Sequence, residues 1–138
     1  MKDPIEVSTT VKAPLNKVWE YWTSPQHITK WNFASDDWHC PNAENDLQIG
    51  AKFSYRMEST DGEMGFNFSG KYTEISPNNS ITYLIDDGRK VSITFNEEGD
   101  STKIVEQFEA ENENARDMQQ QGWQAILNNF KRYAEQEG

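Results

Sequence analysis

The chain carries one cysteine and two histidines in 138 residues. A lone cysteine cannot close an internal disulfide, and zinc sites need about four ligands, usually as spaced pairs. No apolar run approaches the roughly 20 residues that span a bilayer. The opening stretch, MKDPIEVSTTVKAP, lacks the apolar centre of a signal peptide. Together these absences point to a cytoplasmic protein without anchor or export. Basic residues are also scarce: 13 Lys and Arg face 23 Asp and Glu, for a net charge of −10. Such a surface repels phosphate backbones and anionic headgroups, so nucleic acid and stable membrane association are excluded as partners. The chain has no Gly-rich phosphate loop, no G-x-S-x-G elbow and no H-E-x-x-H helix. No cofactor is implied. With neither repeats nor low-complexity linkers, residues 1–138 read as one domain.

What the chain does have is aromatic surface, 12% of residues, set in alternating segments. IEVSTTV at 5–11 places Ile5, Val7, Thr9 and Val11 on one face, the pattern of a half-buried strand. APLNKVWEYWTSP then changes period: Leu15, Val18, Trp19 and Trp22 form a helical stripe behind Pro14. Ser24-Pro25 starts a second short helix through His27, Ile28 and Trp31. From Ala51 the period returns to two. Phe53, Tyr55 and Met57 share a face, and Asp61-Gly62 turns into a strand carrying Met64, Phe66, Phe68 and Tyr72. Gly70 lies on that apolar face, where a missing side chain permits a bend or close approach. ITYLI, KVSITF and TKIVEQFEAE supply three further strands. Asn114 to Gln136 is helical, with Met118, Gly122, Ile126 and Phe130 in one row and Trp123, Leu127, Phe130 and Ala134 in the next. Gln120, Gln124, Asn128 and Lys131 take the opposite side.

The segments APLNKVWEYWTSPQHITKW, DLQIGAKFSYRM and GWQAILNNFKRYAE, in that order and spacing, resemble the START-like (SRPBCC) superfamily. More narrowly, the chain is similar to the bacterial branch named after the activator of the 90-kDa heat shock protein ATPase. The resemblance implies an α+β helix-grip fold: a curved antiparallel sheet of about six strands wrapped around a long C-terminal helix, with two short helices after the first strand. It also implies a cavity between sheet and helix. The alternation picks out the lining: Phe53, Tyr55, Met57, Phe66, Phe68, Tyr83, Ile93, Phe95 and Phe108 from the sheet, and Met118, Trp123, Ile126 and Phe130 from the helix. These side chains either leave a pocket or fill the core, and the aromatic and Met content favours the pocket.

Glu106 shares a strand face with Ile104 and Phe108. It is either a polar group inside the cavity, or turned to solvent by a bulge, or paired with Arg56 or Lys103. Cost favours the outward readings, because an unpaired buried carboxylate is expensive. KWNFASDDWHC at 30–40 reads as a loop at one end of the cavity, with Trp31 and Phe33 turned inward and Trp38 over the mouth or on the sheet. His39 and Cys40 are adjacent and diverge if extended, so neither a metal site nor a catalytic thiol is well served.

The leading functional expectation is binding of a small hydrophobic or amphipathic ligand by a monomer or weak homodimer. Superfamily relatives include cyclases and aromatase-like proteins, so an enzyme using Glu106 and the tyrosines is the alternative, hydrolysis included. The family name suggests a chaperone-associated role as well. In the eukaryotic activators this domain is joined to a separate chaperone-binding domain, for which this chain has no room.

Overall fold

The computed structural model describes residues 3–137. Seven strands form one antiparallel sheet: β1 (Ile5–Val11), β2 (Trp38–Asn45), β3 (Lys52–Ser59), β4 (Gly65–Ser76), β5 (Ser80–Ile85), β6 (Lys90–Glu98) and β7 (Ser101–Phe108). Their spatial order is β1-β7-β6-β5-β4-β3-β2. Two short helices, α1 (Leu15–Thr23) and α2 (Pro25–Trp31), separate β1 from β2, and a long helix, α3 (Arg116–Glu137), ends the fold. This is the helix-grip arrangement: a curved half-barrel closed around α3. Among the described residues, no helix is long and apolar enough to cross a membrane.

The strand missing from the sequence reading is β2. WHCPNAEN does not alternate, and the structure shows why. A bulge between His39 and Asn42 shifts the register against β3. Before it, Trp38 and Cys40 turn inward; after it, Ala43 and Asn45 do. One extra residue flips the phase, so the strand looks like a loop in sequence. Pro41 is tolerated because β2 is an edge. A second bulge, between Tyr72 and Glu74, does the same in β4 and brings Ile75 onto the core face.

The other edge, β1, is covered by α3. Gln120 and Gln124 donate through Nε2 to the carbonyls of Glu6 (3.1 Å) and Ser8 (3.1 Å), and Lys131 Nζ donates to that of Thr10 (2.8 Å). The polar side of α3 therefore satisfies the outward carbonyls of an edge strand and blocks further strand pairing there.

The dry face of the sheet is buried on two layers. Val11, Val18, Ile28, Ile104, Leu127 and Phe130 are almost fully enclosed. Gly70 explains itself by contact. A Cβ there would lie 2.4 Å from the Leu84 carbonyl oxygen and 3.0 Å from the Phe53 ring, which covers the glycine from the paired position on β3.

Candidate functional site

The C-terminal half of α3 is packed against α1, α2 and the sheet; its N-terminal half touches the sheet at β1 and β7 but parts from strands β3–β5. Between them lies a cavity of about 730 Å³, within the range of small-molecule sites. Tyr55 and Met57 from β3, Phe66, Phe68 and Tyr72 from β4, and Ile81 and Tyr83 from β5 form its floor. Trp123 and Ile126 from α3 roof it, and Trp22, Trp31 and Asn32 close its inner end. Exposed Asp87, Asn112, Glu113 and Asn114, with Arg89 and Glu111, mark the open end.

The walls are held by ring-to-ring contacts. Phe68 meets Tyr83 edge-on at 6.4 Å and Trp123 at 6.0 Å. Trp123 lies flat on Phe108, 3.9 Å between centroids and 10° between planes. Each such pair is worth about 0.5–1.5 kcal/mol beyond area burial. These contacts stiffen the walls without filling the space between them.

Polar groups interrupt the apolar lining. Glu106 is only 6% exposed. It sits opposite Val7 on β1 and Ile93 on β6, so its neighbours on the sheet face are aliphatic. Burial alone pushes its carboxyl up to about 8, with no donor opposing the shift. At neutral pH it is mostly protonated. Burial likewise holds the Tyr83 phenol well above its usual range, helped by the nearby Glu106 charge. Burial pushes Tyr72 up to about 12, although the Tyr55 phenol and Asn45 both hydrogen-bond to it. Asn45 in turn donates Nδ2 to the Thr23 carbonyl (2.6 Å), tying the cavity floor to α1. Asn32 Nδ2 is buried without a partner.

The carboxylates at the open end behave differently. Arg89 Nε binds Asp87 Oδ2 at 2.8 Å. Glu111 accepts from the backbone of Glu113 (2.7 Å) and from Asn114, contacts that keep its carboxyl below the usual range. Gln119 braces this loop: it accepts from Glu111 N (3.0 Å) and donates to the Glu111 and Asn114 carbonyls.

Of the residues singled out in sequence, Trp31, Tyr55, Met57, Phe66, Phe68, Tyr83, Glu106, Trp123 and Ile126 meet at the cavity. Glu106 corrects the outward readings: no bulge falls near it, and Arg56 pairs with Glu58 instead (2.8 Å). Other expectations fail for definite reasons. Phe53 is spent covering Gly70 and stacking on Tyr72 (5.2 Å). Phe95 packs against Trp19 and Trp22. Phe108 lies beneath Trp123. Phe130 is wedged between Trp22 and Trp31, both at 4.8 Å. Ile93 is core, 1% exposed. Met118 is 64% exposed, one residue off the inward row.

The 30–40 stretch also divides. Trp31 is as much core as wall: it is 3% exposed and donates Nε1 to the Tyr21 carbonyl (3.0 Å). Phe33 is half-buried outside the lining, and Trp38 packs on Phe66 (5.9 Å). His39 faces Glu58 at 3.7 Å. Cys40 is buried beside Asn32 and Asn42, and burial raises its thiol, which opposes reactivity. Among the described residues, no three His, Cys, Asp or Glu side chains converge to hold a metal.

Missed in sequence were Trp22, Ile81, Asn32, Gln119 and the charged open end. A signal for Gln119 existed: the row Trp123, Leu127, Phe130, Ala134 extends back one turn onto it, and it is buried. The open end had no such signal, since DDGR and ENEN read as solvated turns.

Comparison with known proteins agrees with this architecture. The solution structure of the AHSA1-like protein from Aeromonas hydrophila is 38% identical, with a TM-score of 0.89 over 96% of this chain and 94% of that one. Chr148 from Cytophaga hutchinsonii is 51% identical, with a TM-score of 0.83 over 97% and 93%. NE0264 from Nitrosomonas europaea, 18% identical at a TM-score of 0.82 over 97% and 95%, shares the fold. No functionally curated protein matches the chain. The family model for activator of Hsp90 ATPase homolog 1-like proteins matches residues 12–135, and the chain belongs to that family.

Proposed function

We propose that the chain binds a small hydrophobic or amphipathic molecule in the cavity between the sheet and α3. One observation carries this reading: a volume of about 730 Å³ walled by aromatic side chains stays open inside a fold whose other half is tightly packed. Protein interiors rarely leave such a void, since each lost contact costs dispersion energy. Phe68, Tyr83, Trp123 and Ile126 would contact the ligand's apolar body, and Glu106 its polar group. The net charge of −10 supports a freely diffusing cytoplasmic monomer or weak homodimer, with neither nucleic acid nor membrane as partner. A neutral naphthyl probe such as N-phenyl-1-naphthylamine tests the reading. Saturable fluorescence enhancement and a raised melting temperature are expected, both lost in Ile126→Trp. No saturable signal from this probe or from a panel of apolar molecules would end the proposal.

A second reading rests on Glu106. A carboxyl near neutrality inside an apolar-walled cavity is equipped for general acid–base work. Turnover of a bound substrate that disappears in Glu106→Gln, with binding retained, would favour catalysis over simple binding.

A further inference from the structure

Resting on the cavity reading, we infer that the preferred ligand is a hydrophobic amine, whose ammonium group sits against Glu106 while its apolar body fills the aromatic end of the cavity.

Three independent observations lead there. The first is the unpartnered carboxyl. Glu106 is enclosed, and among the described residues no donor reaches it. A buried acid left alone is a cost the fold already bears, and a cation is the partner that relieves it most. The second is the surface around it. Tyr83, Phe68 and Trp123 present ring faces and edges to the same volume, and ring faces attract ammonium ions by roughly 0.5–2 kcal/mol. The third is the charge of the open end. Its carboxylates are Asp87, Glu111 and Glu113, and its single cation is Arg89. Arg89 is held by Asp87 at 2.8 Å and lies in the field of Glu111. Among the described residues that line the cavity, no free positive group therefore awaits a carboxylate or phosphate. An anionic amphiphile would pass an acidic rim and arrive beside an acid. A cationic one is drawn in by both.

The remaining groups near Glu106 do not compete for its proton. Val7 and Ile93 flank it on the sheet. The phenols of Tyr55, Tyr72 and Tyr83 face the cavity from the three strands opposite, all shifted upward and neutral. Trp123 carries no charge. Glu106 is thus the one deep group that changes state between pH 6 and 9, an interval set by its value of about 8. In the empty cavity it is protonated at neutrality. A bound ammonium stabilises the carboxylate, and the displaced proton goes to solvent. Amine affinity must then rise with pH up to about 8 and flatten above it, by linkage.

Three matched probes test this: 4-phenylbutylamine, 4-phenylbutanol and 4-phenylbutanoate, titrated by calorimetry or amide chemical shifts. The amine should bind about tenfold tighter than the alcohol, and the carboxylate weakest, a spacing typical of one charge-assisted bond. Between about pH 6.5 and 8.5 the amine should gain roughly tenfold, while the alcohol stays constant. Glu106→Gln should remove that pH dependence and cut amine affinity about tenfold, a larger loss than it causes for the alcohol. Binding of the alcohol or carboxylate as tight as the amine would overturn the inference and leave the cavity reading standing. So would amine binding indifferent to Glu106→Gln. Failure of all three probes to bind would overturn both.

Discussion

The two halves of α3 lie over one sheet, yet one half is packed and the other borders an open cavity. Leu127, Phe130 and Ala134 are at most 1% exposed, because α1 and α2 wedge against them and Trp22 and Trp31 close on Phe130. Trp123 and Ile126 are only half-buried, and beside the Trp123–Phe108 stack they border the cavity. The difference lies in the neighbours. Where the α1–α2 pair backs the sheet, large rings interlock; beyond their reach, Phe68, Tyr83 and Trp123 line an open space. Stability is concentrated in one half, and the capacity to accept a ligand in the other.

Substitutions can pull the halves apart. Phe130→Ala should cost about 3–5 kcal/mol in denaturant unfolding, since it empties a fully enclosed site. Trp31→Ala should cost a similar amount, although Trp31 also touches the cavity. Glu106→Gln should do the reverse. The carboxyl ionises near 4.5 when unfolded and near 8 when folded. Between those values the unfolded state holds fewer protons, so wild-type stability falls as pH rises. The variant should match wild type near pH 5 and exceed it by a few kcal/mol above about pH 8, an order-of-magnitude figure by linkage. A pH-independent difference would mean that Glu106 is not desolvated. Gly70→Ala should cost about 1–3 kcal/mol by overpacking, since the Phe53 ring and the Leu84 carbonyl must move. Phe68→Ala should cost least, about 1–2 kcal/mol, because it widens an existing void, and it should change probe affinity more than melting temperature. If Phe68→Ala proved as destabilising as Phe130→Ala, the halves would be alike and the contrast would fail.

The packed half was the more legible in sequence. Ile5, Val7 and Val11 follow the strand period into the core, and Leu127, Phe130 and Ala134 follow the helical one. Periodicity reports which side is dry, and in the packed half dry means core. In the hollow half the same signal cannot separate wall from filling. Phe108 and Tyr83 alternate alike, yet a tryptophan from a distant helix lies on one and not on the other. The β2 strand escaped because its bulge shifts the alternation by one residue. Glu106 was visible as an inward position. Its cost argued against inward placement, and that argument holds for a filled core but weakens beside a cavity.

The N-terminal half of α3 is proposed to roof a ligand cavity. Amide and side-chain chemical shifts recorded while titrating N-phenyl-1-naphthylamine test it most directly. Saturable shifts are expected at Phe68, Tyr83, Glu106, Trp123 and Ile126, with Leu127, Phe130 and Ala134 unmoved. Shifts scattered over the outer surface, or centred on the packed half, would contradict it.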